Sequence, residues 1–299
     1  MTIPAEALAL AAAATWAGSS LLSASAVARM GAFAFSRWRM TFAAVLLWAI
    51  ALATGGWRSL QPDGAGLLAL SGLIGIFVGD TALFACMNRL GPRRSGILFA
   101  THALFSAVLA WLFLGETLSG WSLTGCSLLV AGVMAAIAFG KRETELHAWE
   151  TTQGRLAVGI GLGLLAALGQ AVATLMLKPL MQTGVDPVAA SAVRMSSSLA
   201  AHAVLLLTGW RMARASQPPR RVDLAYTFAS AALAMALGMT LILKALQHGS
   251  AGLVGMLSSV TPVMLLPLLW WVYRRRPAAG AWWGALLTVA GCALILLRR

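Results

Sequence analysis

The sequence predicts an all-α integral membrane protein of ten transmembrane helices in two inverted five-helix repeats. Three observations predict it. The first is composition: the 299 residues are 60% hydrophobic and only 10% charged, where a soluble domain carries roughly 25% charged residues. Such a chain cannot hide its apolar surface from water by folding on itself, so a lipid bilayer must be its solvent. The second is segmentation into apolar runs of about 20 residues, the length a helix needs to cross roughly 30 Å of hydrocarbon. The third is internal repetition. Residues 79–132 lie over residues 238–291 without a gap: Gly79, Thr81, Gly96, Leu98, Leu109, Trp111, Gly125, Leu128, Val130, Ala131 and Gly132 meet Gly238, Thr240, Gly255, Leu257, Leu268, Trp270, Gly284, Leu287, Val289, Ala290 and Gly291. Upstream, after one small indel, Ser36, Arg39 and Met40 meet Ser191, Arg194 and Met195.

Taken in order, the spans fall at 5–24, 34–54, 64–89, 94–115, 119–140, 155–177, 187–210, 223–247, 250–273 and 278–297. Each must be helical, because amides in lipid have to be satisfied within the segment. Turn chemistry separates them: Gly55-Gly56, Gln61-Pro62-Asp63-Gly64, Gly91-Pro92, Asp186-Pro187, Pro218-Pro219 and Arg276-Pro277. The longest polar insert, 141–154, divides a first repeat (1–140) from a second (155–299). Most connections are short, so successive helices are antiparallel. An odd number of spans per half makes the second half enter the membrane in the opposite sense. Arg39 and Arg194 are then expected near opposite faces.

Orientation follows from the basic residues. One face collects most of them, including Arg29, Arg37, Arg93-Arg94, Lys141-Arg142, Arg220-Arg221 and Arg274-Arg275-Arg276. The other receives Arg58, Lys178, Arg194, Lys244, Arg298 and Arg299. By the positive-inside rule the first face is cytoplasmic and both termini lie outside. The net charge of +13 thus reflects topology and anionic headgroups rather than a nucleic-acid partner. Met1 to Ala14 lacks a basic leader, so it reads as the approach to the first span, not a cleaved signal. Cys86, Cys126 and Cys292 all fall in apolar runs and read as small buried hydrophobes, with no disulfide framework or metal cluster. The sequence contains no Walker motif, metal-ligand spacing or nucleophile–base pattern, so no cofactor, metal or enzymatic reaction is expected.

The candidate substrate-binding residues sit inside spans. Asp80 is the one acid deep in a span, where a carboxylate is costly and must face protein or a water-filled cavity. It can meet a substrate amine, couple protons, bond a neighbouring helix or pair with an arginine. His102 stands at mid-span four, and its repeat mate is Thr261, followed by Pro262. Pro262 and Pro267 lie inside span nine, where proline frees a carbonyl and bends the helix. Broken helices of this kind supply binding backbone in transporters. Trp16, Phe84, Phe99, Gln170, Met239 and Met256 are candidate wall residues, each also suited to plain helix packing. His202 reads as structural, and Lys178 and Lys244 as snorkelling toward headgroups. Gly159, Gly161 and Gly163 read as helix-packing positions. Trp57, Trp121, Trp210, Trp270, Trp271, Trp282 and Trp283 read as the interfacial belt.

These features resemble the drug/metabolite transporter superfamily in its ten-helix form with two EamA-type halves. The duplication, the stretch Gly91–Glu116 ending Trp111-Leu-Phe-Leu-Gly-Glu116, the echo of Leu128-Leu-Val-Ala-Gly132 in Leu287-Thr-Val-Ala-Gly291, and Thr261-Pro262 carry the resemblance. It is most like the YddG-type exporters of aromatic and other amino acids. The resemblance implies a central cavity lined by both halves and open to one side at a time. This chain departs from the pattern at Ala103, where the family has a proline, and at Arg275, which replaces the second-half equivalent of Glu116. The small four-helix relatives carry a glutamate inside their first helix, whereas Glu6 here lies at the edge.

The expected function is a secondary transporter exporting amino acids, aromatic or bulky apolar ones, across a bacterial-type inner membrane by alternating access. The alternative is an exporter of lipophilic drugs or other small metabolites. A membrane enzyme or scaffold is the third class, and it lacks a catalytic pattern. The partners expected are an amino-acid substrate and the lipid bilayer, with a monomer the plausible state.

Overall fold

A computed structural model describes residues 3–116, 120–139, 154–273 and 278–297. Those residues are helical with short joints. The helices are α1 (Ala5–Met30), α2 (Ala32–Thr54), α3 (Pro62–Gly72), α4 (Thr81–Ala100), α5 (His102–Leu114), α6 (Gly120–Ala138), α7 (Leu156–Gln182), α8 (Pro187–Leu207), α9 (Arg221–Ser230), α10 (Met239–His248), α11 (Ala251–Ser258), α12 (Thr261–Tyr273) and α13 (Ala279–Leu297). Eight helical stretches are long and apolar enough to cross a membrane, and Gly120–Ala136 and Ala279–Ile295 are shorter apolar helices. Gly91, at φ 81°, breaks α4 and ends span three there, so together they match the ten spans read from the sequence. Residues 141–153 of the linker and the break at Arg276-Pro277 lie outside the described residues.

The ends follow local chemistry. Gly31, at φ 81°, ends α1 and turns the chain directly into α2. The first helix therefore runs past the expected residue 24, since nothing before Gly31 breaks it. Asp186 caps α8 by accepting from Ala189 N at 2.8 Å, with Pro187 in the first turn. Glu116 caps α11 from outside: its carboxylate accepts from Ser250 Oγ, Ala251 N and Gly252 N at 2.7–2.9 Å. Three donors at a helix N-terminus are where a carboxylate is favoured by the helix dipole.

Spans three and eight carry an irregularity that sequence reasoning does not find. Leu73–Asp80 and Ala231–Gly238 are π-helical. They sit at matching points of the two repeats, ending at Asp80 and at Gly238, the mate of Gly79. Spans four and nine are also broken at matching points. Thr101 separates α4 from α5, and Ser259-Val260 separate α11 from α12. Thr101 Oγ1 donates to Leu98 O at 2.6 Å, and Thr261 Oγ1 to Ser258 O at 2.9 Å. The break at Thr101 forms without the proline that Ala103 replaces, so the threonine and its local bonds suffice there.

The duplication also sets the packing. A β-carbon on Gly125 would stand 2.9 Å from Gly291 O, and one on Gly284 would overlap Ala136 and the Gly132 carbonyl at 2.6 Å. Gly125 and Gly284 are repeat mates, as are Gly132 and Gly291. Each contact between α6 and α13 is therefore the image of the other, as across a two-fold axis. With no hydrophobic drive between helices in lipid, such close backbone approach is what holds them. Gly159 packs on Leu90, and Gly163 on Leu98 and Cys86, as expected, while Gly161 faces open space. Cys86 and Cys126 are buried and Cys292 half-buried, all free thiols. The seven tryptophans assigned to the interfacial belt are exposed.

Lys178 departs from its expected role. Its ammonium does not snorkel: the side chain is buried and donates to Leu246 O and Gly249 O at the end of α10. Those carbonyls are the unsatisfied acceptors every helix leaves at its C-terminus, so the cation finds a better partner inside than at the headgroups.

Candidate functional site

The mid-span site is built around a charge pair. Arg39 Nη1 donates to Asp80 Oδ2 at 3.1 Å, joining α2 to the end of the π segment in span three. Arg39 is 5% exposed and Asp80 8%. The guanidinium also lies 5.3 Å from the Phe84 ring centroid and 5.9 Å from that of Phe35, and the two rings meet edge-on at 5.0 Å. Of the roles open to Asp80 in the sequence, this geometry gives it the arginine pair. Desolvating two ions is repaid only by good geometry and satisfied hydrogen bonds.

Arg194 comes to the same centre from the other half. It is 1% exposed, and its Nη2 would lie 3.5 Å from a β-carbon on Gly75. Glycines permit this: Gly72 and Gly75 leave the face of span three bare where α8 crosses it. Arg194 lies within electrostatic range of the Asp80 carboxylate. Arg39 and Arg194 enter this centre from opposite ends of the bundle. Phe33 stands against His202, Trp48 donates to Ser196 Oγ, and Asp186 N meets Ser59 Oγ, so α2 and α8 run antiparallel. Each arginine starts about 10 Å inside its helix at 1.5 Å per residue. Their side chains then extend inward, where the only mid-span carboxylate among the described residues is found.

The remaining candidates divide into two groups. Phe99 and His102 stack at 5.0 Å, His102 Nδ1 donates to Phe99 O at 2.9 Å, and Nε2 lies 3.4 Å from Ser258 Oγ. This brings the breaks of spans four and nine together, with Thr261 and Pro262 half-buried at the second. Trp16 donates from Nε1 to Ala234 O at 3.0 Å, inside the second π segment. It packs against two apolar clusters, one holding Met256 and the other Met239. Gln170 is buried on α7 beside Gly79, while Thr15 and Trp16 hold the equivalent place beside Gly238. His202 is buried, 3.4 Å from Thr81 Oγ1 and edge-on to Phe77 at 4.8 Å, in keeping with its structural reading.

Sequence reasoning missed Arg39, Arg194 and Phe35 as members of the site. A signal existed, because Arg39 and Arg194 are repeat mates. A cation kept at the same point of both halves, well inside a helix, has no topological purpose.

A duplicated helical bundle with mid-membrane charges and paired breaks in matching spans has the frame of a secondary transporter. The chain belongs to the EamA-like transporter family, whose model matches residues 3–138 and again 157–297, once for each half. It is a multi-pass membrane transporter of small molecules. A solved crystal structure of a protein overlays on it with a TM-score of 0.78 at 17% identity, covering 98% of this chain and 96% of the other, which shows the shared fold. No curated protein matches it.

Proposed function

We propose that the protein exports amino acids with aromatic or bulky apolar side chains across a bacterial-type inner membrane by alternating access, as YddG-type exporters do. The observation that supports this most is the pairing of Arg39 with Asp80 at mid-span beside Phe84 and Phe35. A zwitterion needs a partner of each sign, and a bulky apolar side chain needs an apolar wall. Both kinds of group occur within one contact shell. A lipophilic cation would use only the acid and the rings, leaving the arginines without purpose. Asp80, Phe84 and Gln170 are assigned to the substrate's immediate surroundings. Trp16, Met239 and Met256 are assigned to the apolar wall, and Phe99, His102, Thr261 and Pro262 to the moving breaks.

The test is uptake of labelled tryptophan, phenylalanine and threonine into proteoliposomes holding the purified chain. Uptake of the aromatic amino acids above empty vesicles is the expected result. Uptake of a lipophilic cation but of no amino acid would overturn the reading.

A further inference from the structure

The charge count at the centre does not close. Two guanidiniums, Arg39 and Arg194, face one carboxylate, Asp80, and Asp80 bonds Arg39. Among the described residues, Arg194 Nε and Nη2 have no hydrogen-bond partner, although the residue is 1% exposed. These two nitrogens form one edge of the guanidinium, the edge whose parallel N–H groups match the two oxygens of a carboxylate. One turn further along α8, Ser198 is fully buried and its Oγ also lacks a partner. Arg194 and Ser198 lie on the stripe of α8 that continues to His202, facing the segment of span three that contains Gly75 and Thr81. Buried donors without acceptors are costly, and a buried charge without a counter-ion more so. A fold that keeps them holds donors that an acceptor from outside can satisfy.

We infer that Arg194, with Ser198, is a carboxylate subsite: the acid group of the cargo docks on the Nε–Nη2 edge and supplies the missing negative charge. This deepens the amino-acid reading above and rests on it for the cargo. The carboxylate docks on the second repeat while Asp80 and Arg39 belong to the first, so a bound zwitterion ties the two halves together at mid-span.

The test uses three probes that share one side chain: phenylalanine, phenethylamine without the carboxylate, and 3-phenylpropionate without the amine. In detergent, the purified wild-type chain is expected to gain thermal stability from phenylalanine and 3-phenylpropionate, and much less from phenethylamine. Arg194→Gln is expected to weaken binding of the two carboxylates about tenfold or more and leave phenethylamine unchanged, with Arg194→Lys between, since a point charge replaces the fork. Stabilisation by phenethylamine equal to that by 3-phenylpropionate in the wild type would overturn the subsite, and this comparison needs no variant to fold. The same result together with amino-acid uptake would leave the transport reading standing. Carboxylate binding lost in Arg194→Gln without any amino-acid uptake would keep the subsite and remove the amino acid as cargo.

Discussion

Arg39 and Asp80 constrain each other, and that bears on what substitution at either does. Asp80→Asn leaves the Arg39 guanidinium buried without its counter-charge, a loss of about 3–5 kcal/mol for a broken buried pair. Arg39→Gln strands Asp80 in the same way. Both single variants are expected to lose thermal stability together with transport. The double variant Arg39→Gln/Asp80→Asn removes both charges, so neither ion is left stranded without its partner. It is expected to recover stability but not transport, measured as melting temperature and initial uptake rate. Recovery of both would reduce the pair to a packing device. The role of Asp80 as a costly mid-span acid is legible in the sequence, because its depth follows from counting residues along an apolar run. Its partner is harder to read, because Arg39 taken alone counts as a topology signal and only its repeat in Arg194 argues otherwise.

At the scale of elements, two kinds of signal behave differently. The glycines of α6 and α13 are visible in the sequence as repeat mates, and they do carry the close contact. Gly284→Val is expected to push its side chain into the Ala136 backbone and lower the melting temperature by many degrees. Gly161→Ala, which faces open space, is expected to be neutral or to stabilise by up to about 1 kcal/mol, the helix-propensity difference. A matching loss in both would mean that the contact does not hold the helices. Span four is broken at Thr101 although Ala103 stands where the family pattern has a proline. A proline at 103 falls in the first turn of α5, where a missing N–H is tolerated. Ala103→Pro is therefore expected to fold with little change in melting temperature, whereas Ala44→Pro, inside α2, should cost about 3 kcal/mol or more. The π segments had no readable signal. One extra residue in a turn changes hydrogen-bond partners without changing the apolar pattern, so composition and period stay silent about it.

At the scale of the whole molecule, the duplication was the most legible feature, and the antiparallel α2–α8 and mirrored α6–α13 contacts are its consequences. It is legible because glycines that touch backbone cannot drift, so both copies kept theirs. By the positive-inside rule, the bias of basic residues predicts an orientation with both termini outside. Alkaline phosphatase fused to the C-terminus is expected to be active in a bacterial host; a fluorescent cytoplasmic reporter at the same point, with an inactive phosphatase, would reverse the orientation.

Alternating access to the mid-span centre is the central claim, and thiol reactivity reads it most directly. A single cysteine replaces Phe84, beside the Arg39–Asp80 pair, in a chain otherwise free of cysteine. A membrane-impermeant thiol reagent is then applied to proteoliposomes from one side at a time. Labelling from either side, slowed by substrate, is the expected result. Labelling from one side only, or from neither with the transporter active on its cargo, would contradict it.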